Sequence, residues 1–323
     1  MLPAATPAFE VVTITDRRGR PIKLPTPSDR IADGWPAHTA VLITLGAAGR
    51  IVATANSPSA RPWMYRVAPQ LYNAQFVQGG NFNVEELIAR RTQLVFLTPG
   101  TAIGDVLARS GLTVVDMTFH DFATLRSCIT QTAALLGGKA LGRADAYLRH
   151  LDTELGTVTS VTQSIPMGKR PSILHLAQVS PAITTDGSNT LIDAWINAAG
   201  GKNAASDIDG NARPVSIEQV AAWDPDIIVI AAAAARKQKP PGFNTLRAAR
   251  EDAVLTNPEG IFPWDRYGTE LPLQLIWAAQ QCQPSLFKHI DLIAKTIAFY
   301  RRFLAYDLKE QEAQRIIAGL SPV

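Results

Sequence analysis

Cysteine is scarce. Cys128 and Cys282 are the only two in 323 residues, and neither belongs to a CxxC or to a Cys/His cluster with zinc-site spacing, so no disulfide framework or structural zinc is implied. Long apolar runs are missing as well. The longest, such as Ile227 to Ala235, fall far short of the roughly 20 residues that cross a bilayer. There is no dense basic run either: Lys+Arg 31 against Asp+Glu 28 gives a net charge of +3, which offers nucleic acid no electrostatic footprint. GxGxxG, GxxxxGK[ST], GxSxG and HExxH are all absent, which removes the usual motif-borne chemistry of dinucleotides, nucleotides, acyl transfer and zinc proteolysis and leaves a triad built from residues distant in sequence as the form an enzyme would take. The opening, Met1 to Pro7, has neither the charged start nor the apolar stretch of about 7–15 residues that marks a secretory signal. Either the chain is cytoplasmic or a signal has been removed, and the Pro/Ala/Thr-rich composition resembles a trimmed mature end.

What is present is a folding composition, 46% hydrophobic and 18% charged, long enough for about two domains. Short apolar runs alternate with helical patterns, as a parallel sheet with covering helices requires. The expected strands are Arg30–Asp33, Ile51–Thr54, Leu94–Leu97 and Thr113–Asp116, then Ile173–Leu176, Ile227–Ile230 and Ile261–Phe262. Between the two sets, Phe122 to about Thr162 has helix-forming composition interrupted at Gly137-Gly138, so one helix should end there and a long one begin at Lys139. The expected fold is α/β: two lobes, each a mostly parallel sheet with flanking helices, joined by a single long helix. The boundaries are 1–138 for the first lobe, 139–165 for the linking helix and 166–323 for the second lobe.

The two halves share a segment. Asn83 to Leu97 can be laid on Ser216 to Ile230 at a constant offset of 133 (216 − 83). Each begins with a candidate N-cap, has Glu two residues on (Glu85, Glu218), continues with apolar residues at helical spacing and ends in a buried strand. Ordinary helix-start chemistry could produce the same pattern.

Four segments together resemble the substrate-binding proteins of ABC importers for ferric siderophores, haem and cobalamin. Thr15-Asp16-Arg17-Arg18-Gly19-Arg20-Pro21-Ile22-Lys23-Leu24-Pro25, followed by Arg30-Ile31 and Leu45-Gly46-Ala47, is similar to that family's opening. The two repeated segments resemble its helix-strand units, with Thr92-Gln93 where the first unit usually has Pro-Asp. The run from Asp186-Gly187-Ser188-Asn189-Thr190-Leu191 to Ala198-Ala199-Gly200-Gly201-Lys202-Asn203-Ala204 is similar to its central motif, and Pro272 to Ala279 with Pro284-Ser285-Leu286-Phe287 to its closing part. The resemblance implies a monomeric periplasmic carrier with no cofactor of its own. It would capture an iron chelate in the cleft between the lobes and deliver it to an ABC permease, docking through Glu85 and Glu218. Haem, cobalamin or another metal chelate is the alternative cargo, and a chelatase or nitrogenase-like subunit the enzyme alternative.

Ligand contacts are expected in loops at the carboxyl ends of the strands. The first lobe offers Trp35 and His38, then the segment Arg61-Pro62-Trp63-Met64-Tyr65-Arg66, and His120. The second offers Arg236, Trp264, Arg266 and Tyr267. Guanidinium donors and flat rings suit a bulky, partly aromatic, anionic chelate. Trp63 and Tyr65 could instead fold back onto the core, Asp265 could simply pair with Arg266, and His38 could be a capping or wall residue. A bare-ion site would need more ligands than His38 and His120 supply, so no metal site is expected. His150, His175 and His289 fall on helical or strand patterns that suit structural roles.

Overall fold

The computed structural model describes residues 10–323; the reading of Met1 to Pro7 lies outside them. The chain divides into two compact units. The first comprises the described residues up to Arg61 with Ala68–Thr118 and Thr124–Ala146, and the second Pro62–Val67, Phe119–Ala123 and Tyr147–Val323. A 24-residue helix, Lys139–Thr162, passes from one to the other. It is separated from the helix Phe122–Leu136 by Gly137 and Gly138, whose φ of 64° and 56° lie in the left-handed region that side chains disfavour.

The first unit opens with an antiparallel hairpin of β1 (Glu10–Thr15) and β2 (Pro21–Thr26). Its turn is organised by the buried Asp16 carboxylate, which accepts from the Arg18 and Arg20 amides and from the Arg20 guanidinium. Five strands then form a parallel sheet: β3 (Ile31–Asp33), β4 (Ile51–Thr54), β5 (Gln75–Phe76), β6 (Leu94–Leu97) and β7 (Thr113–Asp116), in the order β5-β4-β3-β6-β7. Every residue of β6 is buried, as a strand covered on both faces must be. The core beside it contains Phe82, Leu87, Val95, Leu97, Leu107 and Val114.

The second unit carries β8 (Ser172–Gln178), β9 (Ile183–Thr185), β10 (Lys202–Asn203), β11 (Arg213–Val215), β12 (Ile227–Ile230) and β13 (Val254–Thr256), in the order β11-β9-β8-β12-β13 with β10 on β8. β9 and β11 are antiparallel and the others parallel. The last strand is not where the sequence suggested. Ile261 and Phe262 are buried, at 0% and 5% exposure, but they lie in a loop. Pairing with β12 falls instead to Val254–Thr256, which is only half-buried. Burial of a loop had imitated the apolar run of a strand.

The repeat survives in detail. Asn83 accepts from the Glu86 amide and Ser216 from the Gln219 amide, each capping its helix, Val84–Ala89 and Ile217–Trp223. Both helices are followed by a left-handed residue at the equivalent position (224 − 133 = 91): Arg91 at φ 52° and Asp224 at φ 43°. Two residues later Gln93 and Asp226 do the same work. Gln93 Oε1 accepts from the Asp29 and Arg30 amides ahead of β3, and Asp226 Oδ2 accepts from the Ser172 amide that starts β8. Gln therefore replaces the usual Asp at 93 without losing the acceptor.

Candidate functional site

In each sheet the first strand sits in the middle and the chain leaves its neighbours in opposite directions, so the carboxyl ends of β3/β6 and of β8/β12 are the crevices where such folds bind ligands. At the first, Gly34 donates to the Phe96 carbonyl (2.9 Å). A Cβ on Gly34 would approach Leu97 and Phe82 to 2.7 and 2.8 Å, so only glycine lets the chain turn this close to β6.

Behind that turn lies a closed polar network. The Asp33 carboxylate, fully buried, accepts from the Trp35 amide (3.3 Å) and the Thr39 hydroxyl (2.7 Å), while Asn56 donates to Thr39 and to the Pro36 carbonyl (both 2.9 Å). His38 belongs to the network. Its Nε2 lies 2.9 Å from Thr132 Oγ1, its Nδ1 3.5 Å from Asp33 Oδ1, and its ring packs against Trp35 and Phe96. Burial opposes charging this imidazole, but the Asp33 carboxylate outweighs it and raises the pKa to about 9. His38 and Trp35, at 0% and 7% exposure, thus support the crevice from behind. The His38 ring is fully enclosed in this structure.

The segment Arg61 to Arg66 differs from the loop expected of it. Pro62–Val67 is a short helix of the second unit, not an open loop. Trp63 and Tyr65 are each 2% exposed, and the Trp63 indole donates to the Leu320 carbonyl (2.8 Å). Arg66 pairs with Glu312 at 2.7 Å and donates to Tyr306 Oη and the Val323 carbonyl. Arg236 likewise donates to the Gly319 carbonyl (2.6 Å) and faces Glu259 at 3.8 Å. These arginines and rings fasten the C-terminal segment, so their guanidiniums are already engaged. Arg61, half-buried, donates to its neighbour Ala60 (3.3 Å).

The second unit concentrates charge under its loop 257–269. His175, on β8 and fully buried, bridges two carboxylates: Nδ1 to Asp186 Oδ2 at 2.8 Å and Nε2 to Asp265 Oδ2 at 2.7 Å. Burial opposes its charge, yet both carboxylates favour it and the net shift is upward. Arg266 Nη2 reaches Asp186 Oδ2 (3.1 Å) and its Nε lies 3.7 Å from Asp265 Oδ1. Arg266 stays 22% exposed at the edge. Beside it Tyr267, held at φ 53°, meets Phe119 edge-on with centroids 5.6 Å apart. His120, next along the chain, is 44% exposed and 3.5 Å from Asp121. Of the residues singled out in the sequence, the structure sets Tyr267, next in the chain to Arg266, against Phe119, the residue before His120. Trp264, like Trp35, is buried. Asp186 and His175 escaped notice as site-building residues; the only signal was the Asp186-Gly187 turn that opens the central motif.

At the carboxyl ends of β8 and β12 there is a groove of about 270 Å³ lined by Ala177, Gln178, Ser180, Pro181, Ala233, Ala234 and Lys237. Glu85 and Glu218 are exposed in the first turns of their helices. The Glu218 carboxyl is held below its usual value by the Ser216 hydroxyl. Among the described residues no three His, Cys, Asp or Glu side chains converge as metal ligands, and Cys128 and Cys282 are free and buried.

Residues 31–259 match the family described as periplasmic binding protein. The chain belongs to that family. It is 22% identical over 287 residues, 86% of this chain and 87% of the other, to the uncharacterized ABC transporter substrate-binding lipoprotein YvrC of Bacillus subtilis. It is 25% identical over 285 residues, 77% of this chain and 78% of the other, to the molybdate-binding protein MolA of Haemophilus influenzae. Among solved structures, a periplasmic solute-binding protein from Veillonella parvula superimposes with TM-score 0.78 at 24% identity, covering 96% of this chain and 97% of that one. Molybdate-bound MolA superimposes with TM-score 0.79 at 19% identity, covering 92% and 99%. At such identities the structural likeness is one of fold. These members of the periplasmic binding protein family are substrate-binding components of transporters rather than enzymes, periplasmic or lipid-anchored. Among the described residues no helix is long and apolar enough to cross a membrane.

Proposed function

We propose that this periplasmic binding protein captures a ferric chelate of the siderophore class and passes it to the permease of its transporter. The observation that carries the reading is the partly exposed Arg266 held over a buried ion cluster, followed in the chain by Tyr267, whose ring meets Phe119, the residue before the half-exposed His120. Such a set gives an iron chelate ring contact and hydrogen bonds to its oxygens. The buried carboxylates under Arg266 fix its direction and also offset its charge, so the site favours shape and hydrogen bonding over raw anion attraction. Glu85 and Glu218, one on each copy of the repeated unit, serve as the docking contacts for cationic residues of the permease.

A second reading is an inorganic oxyanion, favoured by the similarity to the molybdate-binding protein. The two differ in what they require: a compact dianion needs several uncompensated donors, whereas a chelate needs area.

Titration of intrinsic tryptophan fluorescence separates them. The panel is ferric catecholate, ferric citrate, ferric hydroxamate, haem, cobalamin, molybdate and free ferric ion. Saturable quenching by a ferric chelate and none by the free ion is expected. Saturation by molybdate alone, or silence across the panel from folded protein, would overturn the chelate reading.

A further inference from the structure

We propose that the groove at the carboxyl ends of β8 and β12 is a subsite for one arm of the cargo, an apolar group carrying a single oxyanion, with Lys237 as its cationic contact. The inference rests on the chelate reading and adds which part of the cargo is recognised, and where.

Position is the first support. After β8 the chain turns to β9 on one side, and after β12 it proceeds to β13 on the other, which makes this the crevice the sheet leaves open. Its two walls are tied together by the Ala231 amide donating to the Leu176 carbonyl (3.0 Å), so the groove is preformed. Size is the second. About 270 Å³ exceeds the roughly 150 Å³ that holds a benzene but is below the usual span for a whole ligand, roughly 300–1,000 Å³. One ring or short chain fits. The lining supplies methyl groups from Ala177, Ala233 and Ala234 and the Pro181 ring, with Gln178 and Ser180 as polar handles.

Charge decides the chemistry. No carboxylate lines the groove. Neighbouring cations are engaged elsewhere: Arg236 with the Gly319 carbonyl, Lys239 with the Ala235 carbonyl (2.6 Å), and Arg266 with Asp186 and Asp265. Lys237 is exposed, and its Nζ makes no hydrogen bond or ion pair among the described residues. An exposed lysine is commonplace, but this one edges an apolar groove at the binding end of the sheet and is the cation there without a partner among those residues.

The test compares wild type, Lys237→Gln, Ala233→Leu to fill the groove, and Lys288→Gln as an exposed control. Each is titrated with ferric catecholate, ferric citrate and a neutral ferric trihydroxamate at low and high salt. Lys237→Gln should weaken binding of an anionic chelate about fivefold, the scale of one exposed charge contact. The loss should shrink at high salt and be absent for the neutral chelate. Ala233→Leu should weaken binding at both salt concentrations. Wild-type affinity in Lys237→Gln overturns the subsite while leaving the chelate reading standing. Silence of the wild type toward all three chelates overturns both.

Discussion

Glu270 gives the sharpest test of how the second unit is held together. It is fully buried at the start of the helix Leu271–Cys282, where Oε1 accepts from the Tyr300 hydroxyl (2.5 Å) and Oε2 from the Phe262 amide (3.1 Å). Gly260 lies against it, since a Cβ there would come within 1.9 Å of Oε1. Burial pushes the carboxyl up from 4.5 to about 7, with Tyr300 and Phe262 opposing and the nearby Glu259 reinforcing the rise. The folded state therefore holds the proton more tightly than the unfolded one. Stability from this group is full below about pH 4.5 and is lost as pH rises through about 7. The interval from 4.5 to about 7, at about 1.4 kcal/mol per pH unit, comes to about 3 kcal/mol. Glu270→Gln stays neutral and keeps an acceptor for Tyr300. Its stability relative to wild type, from denaturant unfolding of both proteins at pH 5, 6, 7 and 8, should rise with pH by most of that amount. A difference that stays flat across the range would mean that the carboxyl titrates normally and that the buried cluster is misread.

Trp63 and Arg66, packed and paired with the C-terminal segment, should act as fasteners. Trp63→Ala should cost the second unit about 3–5 kcal/mol, as removal of a buried aromatic does, measured by thermal unfolding. Arg66→Ala loses a half-exposed ion pair worth at most about 1 kcal/mol and should leave chelate affinity unchanged; a tenfold weaker titration would return Arg66 to the ligand set. Replacing Glu85 and Glu218 together by Ala should preserve chelate binding by the purified protein and abolish uptake in cells. Uptake that survived the double change would remove the docking role.

The class of the fold was legible in the chain alone, because its evidence is local and periodic: apolar runs of strand length, N-caps at Asn83 and Ser216, and the Gly137-Gly138 break before the long helix. The repeat was legible for the same reason, but the matching acceptors at 93 and 226 emerged only from the structure. Tertiary packing decided which of the polar and aromatic side chains are buried. His38, Trp35, Trp63, Tyr65 and Trp264 have the composition of a binding surface, yet each is buried, because burial depends on partners dozens to hundreds of residues away: Thr132 for His38, Leu320 for Trp63. Arg66 and Arg236 carry the charge an anion would seek, but Glu312 and the carbonyl of Gly319 claim it first. Conversely, His175 and Asp186 carry no local signal of a shared role, and only the closing of the loop around Asp265 and Arg266 joins them. A single chain announces its periodicities; which of its charges are matched is settled only when distant segments meet.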